Sequence, residues 1–190
     1  MVAERQPPAM TVEEYLALEE TSPVKHEYVR SRVFAMADVT LAHDTIANNI
    51  RAAIYNHLGD GPWAVRGPAL RLRVREDIYY YPDAMVTCDD SLVDSAVEIS
   101  APRLIVEVLS DSTEAADRGH KFTDYQRLTT MEEYLLVDSR RRSAERFQRA
   151  AEGRWTYQRY SADDAITLES VGLTCAVAAF YRHTHVEGVS

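Results

Sequence analysis

The sequence predicts an α/β domain in which helices flank a mixed β-sheet. Three observations lead there. Apolar residues recur at helical spacing across 41–58, where Ile46, Ile50, Ala53, Ile54 and Leu58 line one face. Short strand-like runs rich in Val, Ile, Leu and Tyr fill the middle of the chain. No repeat, low-complexity stretch or second-domain linker interrupts its 190 residues, a length that suits one domain with a sizeable core.

Each element has its own signal. Residues 1–10 are polar, carry two adjacent prolines and read as a flexible tail, which leaves 11–190 as the folded domain. Thr11 and Glu14 have capping-box spacing and open a helix to about Leu18, with Tyr15 and Leu18 inward. The segment 25–36 turns strand-like through Tyr28, Val33, Phe34 and Met36. Gly59-Asp60-Gly61-Pro62 ends the 41–58 helix. Strands are expected over 63–66, 69–74, 78–81, 83–88 and 103–109, with 89–102 an acidic loop carrying Asp89, Asp90, Asp94 and Glu98. Ser112 or Thr113 caps a further helix through about Leu128. Strands over 134–137, 144–148, 155–160 and 166–170 complete the pattern.

Composition narrows the function classes. An apolar fraction of 46% and a charged fraction of 27% are ordinary for a soluble globular protein. No apolar run reaches membrane-spanning length, and the N-terminus lacks the basic-then-apolar signal-peptide pattern, so a cytoplasmic protein with no membrane partner is expected. Cys88 and Cys175 lie in apolar strand-like stretches and read as buried free thiols, making neither a disulfide framework nor a zinc signature. The net charge of −9 argues against bulk nucleic-acid binding, which leans on many Lys/Arg–phosphate contacts. A nucleic-acid role needs local basic strips or a metal that changes the local field.

Two carboxylates bear most directly on function. Asp83 sits in Tyr79-Tyr80-Tyr81-Pro82-Asp83-Ala84-Met85-Val86, and Glu107 in Leu104-Ile105-Val106-Glu107-Val108-Leu109. Acids in apolar runs are rarely buried unless something pairs them or they hold a metal. Asp83, Glu107 and the Val108 carbonyl form an oxygen set suited to Mg²⁺ (or Mn²⁺), with Lys121 orienting the attacking water or stabilising the developing oxyanion. Taken singly, each residue has a plainer reading. Asp83 also suits a strand-entry turn, Glu107 an exposed edge position, and Asp117 with Lys121 an i,i+4 helical ion pair. Arg71, Arg73 and Arg75 recur with period two opposite Leu70, Leu72 and Val74, which makes either a phosphate-tracking face or a solvated one. Arg140, Arg141, Arg142, Arg146 and Arg149 form a second basic cluster at a hairpin turn and its strand, and the nearby Trp155 and Tyr157 read as sheet packing.

The order strand acid, strand acid, helix lysine joins the segments YYYPDAMV, LIVEVLSDST, DRGHK, Tyr125 and EEYLLVD. Together they resemble the PD-(D/E)XK nuclease superfamily and, more closely, its large bacterial family of small "putative restriction endonucleases", over nearly the whole chain. The resemblance implies a restriction-endonuclease-like fold with a divalent-metal site, in which Pro82-Asp83 matches the "PD" and Glu107 the second acid. It matches Glu27 to an early glutamate, which here reads either as a buttress for the metal or a water or as a solvated strand charge, and His43 to a histidine opening the long helix. On its own residues His43 reads as a boundary histidine bonded to backbone. The superfamily lysine lies two residues after the second acid, where this chain has Leu109, and Lys121 resembles the relocated lysine of this branch. Arg30 and Ser31 depart from the family's acidic residue and glycine. The implied activity is that of a metal-dependent endonuclease hydrolysing DNA, working as a homodimer. The alternative is a catalytically inactive nuclease-like fold used as a binding or assembly module.

Overall fold

In the computed structural model, which describes residues 9–89 and 93–188, Thr11 caps α1 (Val12–Thr21) as its spacing predicts. The Thr11 hydroxyl accepts from the Glu14 N–H while the Glu14 carboxylate accepts from the Thr11 N–H. Tyr15 is fully buried against Tyr28 and Tyr79, whereas Leu18 is only half-buried. The 25–36 segment is a hairpin of β1 (His26–Val29) and β2 (Arg32–Ala35). Its two-residue turn holds Arg30 and Ser31 at φ 48° and 71°, the left-handed pair that a tight hairpin turn requires. Ala9 and Met10 are tied to this hairpin through an Ala9–Arg32 bridge and a Met10 N–H bond to the Ser31 carbonyl. The remainder of the predicted tail, 1–8, lies outside the described residues.

The 18-residue α2 (Leu41–Leu58) has the predicted bounds, with Thr40 as cap and Gly59 left-handed at its end. Its Ile46, Ile50 and Ile54 are fully buried against a six-stranded sheet. That sheet contains β3 (Ala64–Arg66), β6 (Ala84–Thr87), β8 (Leu104–Leu109), β9 (Glu133–Asp138), β10 (Ser143–Arg149) and β11 (Trp155–Ser161), in spatial order β11-β10-β9-β8-β6-β3. β8 and β9 run parallel and the other neighbours antiparallel, so the sheet is mixed. A second sheet, β2-β1-β5-β4-β7, is built with β4 (Arg71–Arg75), β5 (Ile78–Tyr80) and β7 (Glu98–Ile99). It packs Leu72, Ile78 and Tyr80 with Ile105, Leu109 and Tyr134 of the first sheet. β8 is therefore an interior strand with all six residues buried, and the edge-position reading of Glu107 does not hold.

Several expectations are corrected. The 89–102 loop contains β7, which pairs parallel to β4, although 90–92 fall outside the described residues. The helix expected from Thr113 to about Leu128 is three short pieces: α3 (Glu114–Ala116), a π-helical turn at Asp117–Lys121, and α4 (Phe122–Tyr125). Thr113 makes no side-chain cap. The last predicted strand stops early, as β12 (Ala165–Leu168), and pairs with an unforeseen β13 (Leu173–Ala176) that leads into a 3-10 turn at Val177–Tyr181. Cys88 is exposed, because β6 ends at Thr87 and the chain leaves the sheet there, and Cys175 in β13 is half-buried.

Candidate active site

Five separate parts of the chain contribute charged or polar groups to a cleft of about 190 Å³. Its lining includes Glu27 from β1, His43 from α2, Asp83 just before β6, Glu107 and Val108 from β8, and Asp117 and Lys121 from the π-helical turn. Ala35, Met36, Ala37 and Val39 form an apolar wall. The predicted Asp83, Glu107, Val108, Lys121 and Glu27 thus share one cleft.

Local geometry explains how each group is aimed. The β6–β8 ladder runs as far as Ala84 opposite Val106. Beyond it, the Val108 N–H donates to Asp83 Oδ2 at 2.7 Å, so the aspartate side chain takes over where the strand pairing stops. His43 Nε2 lies 3.3 Å from the same oxygen, and the Arg51 guanidinium donates to the Asp83 carbonyl at 2.7 Å. Gly67 makes room for Arg51, since a β-carbon there would lie 3.3 Å from the Arg51 side chain. The His43 side chain faces Asp83, and its Nδ1 is buried without a hydrogen bond. Burial lowers its pKa, but the Asp83 carboxylate outweighs this and leaves it raised.

Glu107 alternates with Val106 and Val108 and points to the opposite face of the sheet, towards the helical pieces. The Tyr125 hydroxyl donates to its Oε1 at 2.7 Å. Burial drives the Glu107 pKa well up; Lys121 opposes this, while Asp117, Asp83 and Glu27 add to it. The Lys121 ammonium sits 2.7 Å from Glu27, 3.1 Å from Asp117 and 3.5 Å from Glu107. It also lies 5.5 Å from the centre of the Tyr80 ring. Burial disfavours its charge, but the three carboxylates prevail and hold its pKa well above the ordinary lysine value. Its three carboxylate neighbours place Lys121 as a donor and a positive charge in the cleft.

Asp117 belongs to the same group, which a reading as an ordinary helical ion pair misses. It is 1% exposed, and its Oδ1 makes no aligned hydrogen bond despite the nearby ammonium. The π turn that buries it is pinned from outside. Arg118 makes a two-pronged bond to Glu145 of β10 and a further bond to Glu114, while the Tyr134 hydroxyl donates to the Asp117 carbonyl. Single π turns interrupting helices recur at functional sites. The signals in the sequence are the charge-dense DRGHK stretch and the i,i+4 spacing of Asp117 to Lys121.

The three arginines lie elsewhere. Arg71 and Arg73 both pair with Glu98, at 3.1 and 3.0 Å, and Arg75 approaches Asp77 at 3.6 Å. None of them lines the cleft. In the second basic cluster, Arg140 binds Asp138, Asp111 and Glu114, and Arg149 donates to the carbonyls of Gln126, Leu128 and Met131. Trp155 packs edge-on against Phe122, in line with its reading as a sheet-packing residue.

Among the described residues the cleft sets four carboxylates against one ammonium, an imbalance that suits a cation. No three Asp, Glu, His or Cys groups among them already close into a cage. Mg²⁺ does not require one, since it often takes one or two protein carboxylates and keeps its waters. The carboxylate oxygens of Glu27, Asp83, Glu107 and Asp117 are the donor type that a hard divalent ion prefers. Also among the described residues, no helix is long and apolar enough to cross a membrane.

Comparison with known proteins agrees with this architecture. A structure titled as a putative nuclease of DUF820, from Anabaena variabilis, superposes with a TM-score of 0.74 at 16% identity, covering 90% of this chain and 97% of that one. An uncharacterized Synechocystis protein, slr1290, is 37% identical over 92% of this chain and 93% of its own length. A second, sll1609, is 29% identical over 77% and 84%. The Uma2 family, described as "Putative restriction endonuclease", matches residues 12–178, and the chain belongs to that family.

Proposed function

We propose that this protein is a metal-dependent endonuclease that hydrolyses DNA phosphodiester bonds, with Asp83 and Glu107 as side-chain metal ligands and Val108 supplying its carbonyl. The observation that carries this reading is the meeting of a carboxylate just before β6, a carboxylate within β8 and a buried ammonium in one cleft. When bound, a divalent ion such as Mg²⁺ or Mn²⁺ supplies Lewis acidity at the phosphoryl group and a more acidic water.

The remaining chemistry falls to the chain. His43 and the Val108 N–H hold Asp83, and Tyr125 holds Glu107. Glu27 and Asp117 keep Lys121 charged and in place, so that it orients the attacking water and donates to the phosphoryl oxygen on which charge builds. The apolar wall of Ala35, Met36, Ala37 and Val39 limits access of other water. Arg71, Arg73 and Arg75 would follow the DNA backbone by exchanging Glu98 and Asp77 for phosphates, and a homodimer would present two cleavage sites to the two strands.

Plasmid cleavage assayed with Mg²⁺ and Mn²⁺ tests the reading. Activity is expected from the wild type and is lost in Asp83→Ala, Glu107→Ala and Lys121→Ala. Failure of the purified protein to bind either metal or DNA at low salt sinks it. The neutralised arginine face and the net charge of −9 favour a second reading, a nuclease fold retired to binding or assembly. In that case calorimetry gives no metal signal while a stable protein partner co-purifies.

A further inference from the structure

The proposed metal ligand Glu107 already has a cationic neighbour. Lys121 is nearly buried, and its ammonium stands among three carboxylates contributed by β1, β8 and the π turn. The distances are unequal. Glu27 and Asp117 hold the ammonium closely, at 2.7 and 3.1 Å, whereas Glu107 is the loosest partner at 3.5 Å. An ammonium has three protons to donate and can satisfy three such acceptors. In a site this enclosed, a second positive charge beside Glu107 meets both repulsion from Lys121 and competition for the carboxylate.

We propose that Lys121 is the resident counter-ion of the cleft and competes with the divalent metal for Glu107, with Glu27 and Asp117 forming the cradle that receives the ammonium when the metal binds. This rests on the metal-site reading above but adds something that reading does not contain. A lysine that only orients water would leave metal affinity unchanged or, if it merely packs the site, weaken it on removal. A resident counter-ion opposes the metal, so its removal tightens binding. Asp117, which needs no direct contact with the metal, thereby acquires a positioning role: it draws the ammonium away from Glu107. Its burial and its oxygen without an aligned bond match a group set to accept a closer ammonium.

The test is calorimetric titration of Mn²⁺ into the apo protein, with no nucleic acid present. Lys121→Met is expected to bind Mn²⁺ at least tenfold more tightly than wild type while losing cleavage. Arg30→Met removes the same unit of charge from a residue bonded to Asp124 rather than Glu107 and is expected to change affinity less than twofold. Asp117→Asn, which loosens the cradle, is expected to weaken binding several-fold. Circular dichroism accompanies each titration. A Lys121→Met protein that folds only when Mn²⁺ is added also supports the proposal, because the metal then replaces the ammonium.

Equal or weaker Mn²⁺ binding by Lys121→Met overturns the proposal, as does a variant that stays unfolded with Mn²⁺ present. A shift in Arg30→Met as large as that in Lys121→Met also overturns it, since general field effects would then suffice. Failure of the metal-site reading looks different: wild type and Lys121→Met alike would give no Mn²⁺ heat.

Discussion

Glu107 and Glu133 are both buried glutamates on adjacent parallel strands, and burial raises the pKa of each. They differ in what surrounds them. Glu133 accepts from the N–H groups of Glu169 and Ser170 and from the Ser170 hydroxyl, with Arg146 3.7 Å away. Those bonds pin the turn between β12 and β13 to the central sheet. Glu107 has one close donor, Tyr125, a more distant ammonium, and three other acids that push its pKa further up. Burial alone does not distinguish a carboxylate open to a cation from a structural one. The distinction lies in whether the surroundings satisfy the charge or leave it seeking a cation.

Substitutions can break or sharpen this contrast. The largest effect is expected from Glu107→Ala, which should lower metal-dependent cleavage at least about a thousandfold while the protein still folds. Glu133→Ala should do the reverse. It orphans three donors and should cost about 3 kcal/mol in urea unfolding, with Mn²⁺ affinity of the folded protein unchanged. Comparable losses of cleavage in the two folded variants would erase the distinction. Next comes Tyr125→Phe, which removes the close donor to Glu107 and should reduce metal affinity or cleavage roughly 10- to 100-fold, as loss of a ligand's supporting bond does elsewhere.

A smaller effect of opposite sign is expected from Glu107→Gln without metal. The folded-state pKa of Glu107 lies above its unfolded value. The stability this contributes is therefore present below the ordinary carboxylate range and is lost as pH rises through the folded value. Above that window Glu107→Gln should be more stable than wild type by roughly 1–2 kcal/mol, and that part of the pH slope should vanish in thermal melts. Smallest is Ser170→Ala, which takes one hydroxyl donor from Glu133 and should cost about 1 kcal/mol by denaturant titration.

Much of the site could be read from the chain because charge and context conflict there. Asp83 and Glu107 interrupt runs that otherwise read as buried strand, and that contradiction is local. Likewise, the isoleucine periodicity and Gly59 mark α2 without reference to anything distant. Asp117 resisted such reading because an i,i+4 acid–lysine pair is commonplace on exposed helices. Its burial depends on a π turn pinned by Glu145 and Tyr134, residues that lie well beyond it in sequence. Glu133 was equally opaque, since its donors come from a turn more than thirty residues later. β7 is only two residues long and owes its pairing to β4, not to any pattern of its own. The Arg71, Arg73 and Arg75 alternation is real, but pairing with Glu98 depends on β7 folding alongside them.

The π turn sets the direction in which Lys121 is aimed. A strand offers only two facings, and moving a group by one residue reverses its side altogether. A helical segment sweeps its side chains round an axis, and one extra residue in a single turn adjusts their azimuth without disturbing what lies before or after it. Housing the ammonium at Lys121 on the π turn rather than on a strand therefore gives fine angular control over how it faces Glu27, Glu107 and Asp117. One residue gained or lost between Asp117 and Lys121 would turn that angle while leaving the strands of the sheet as they are.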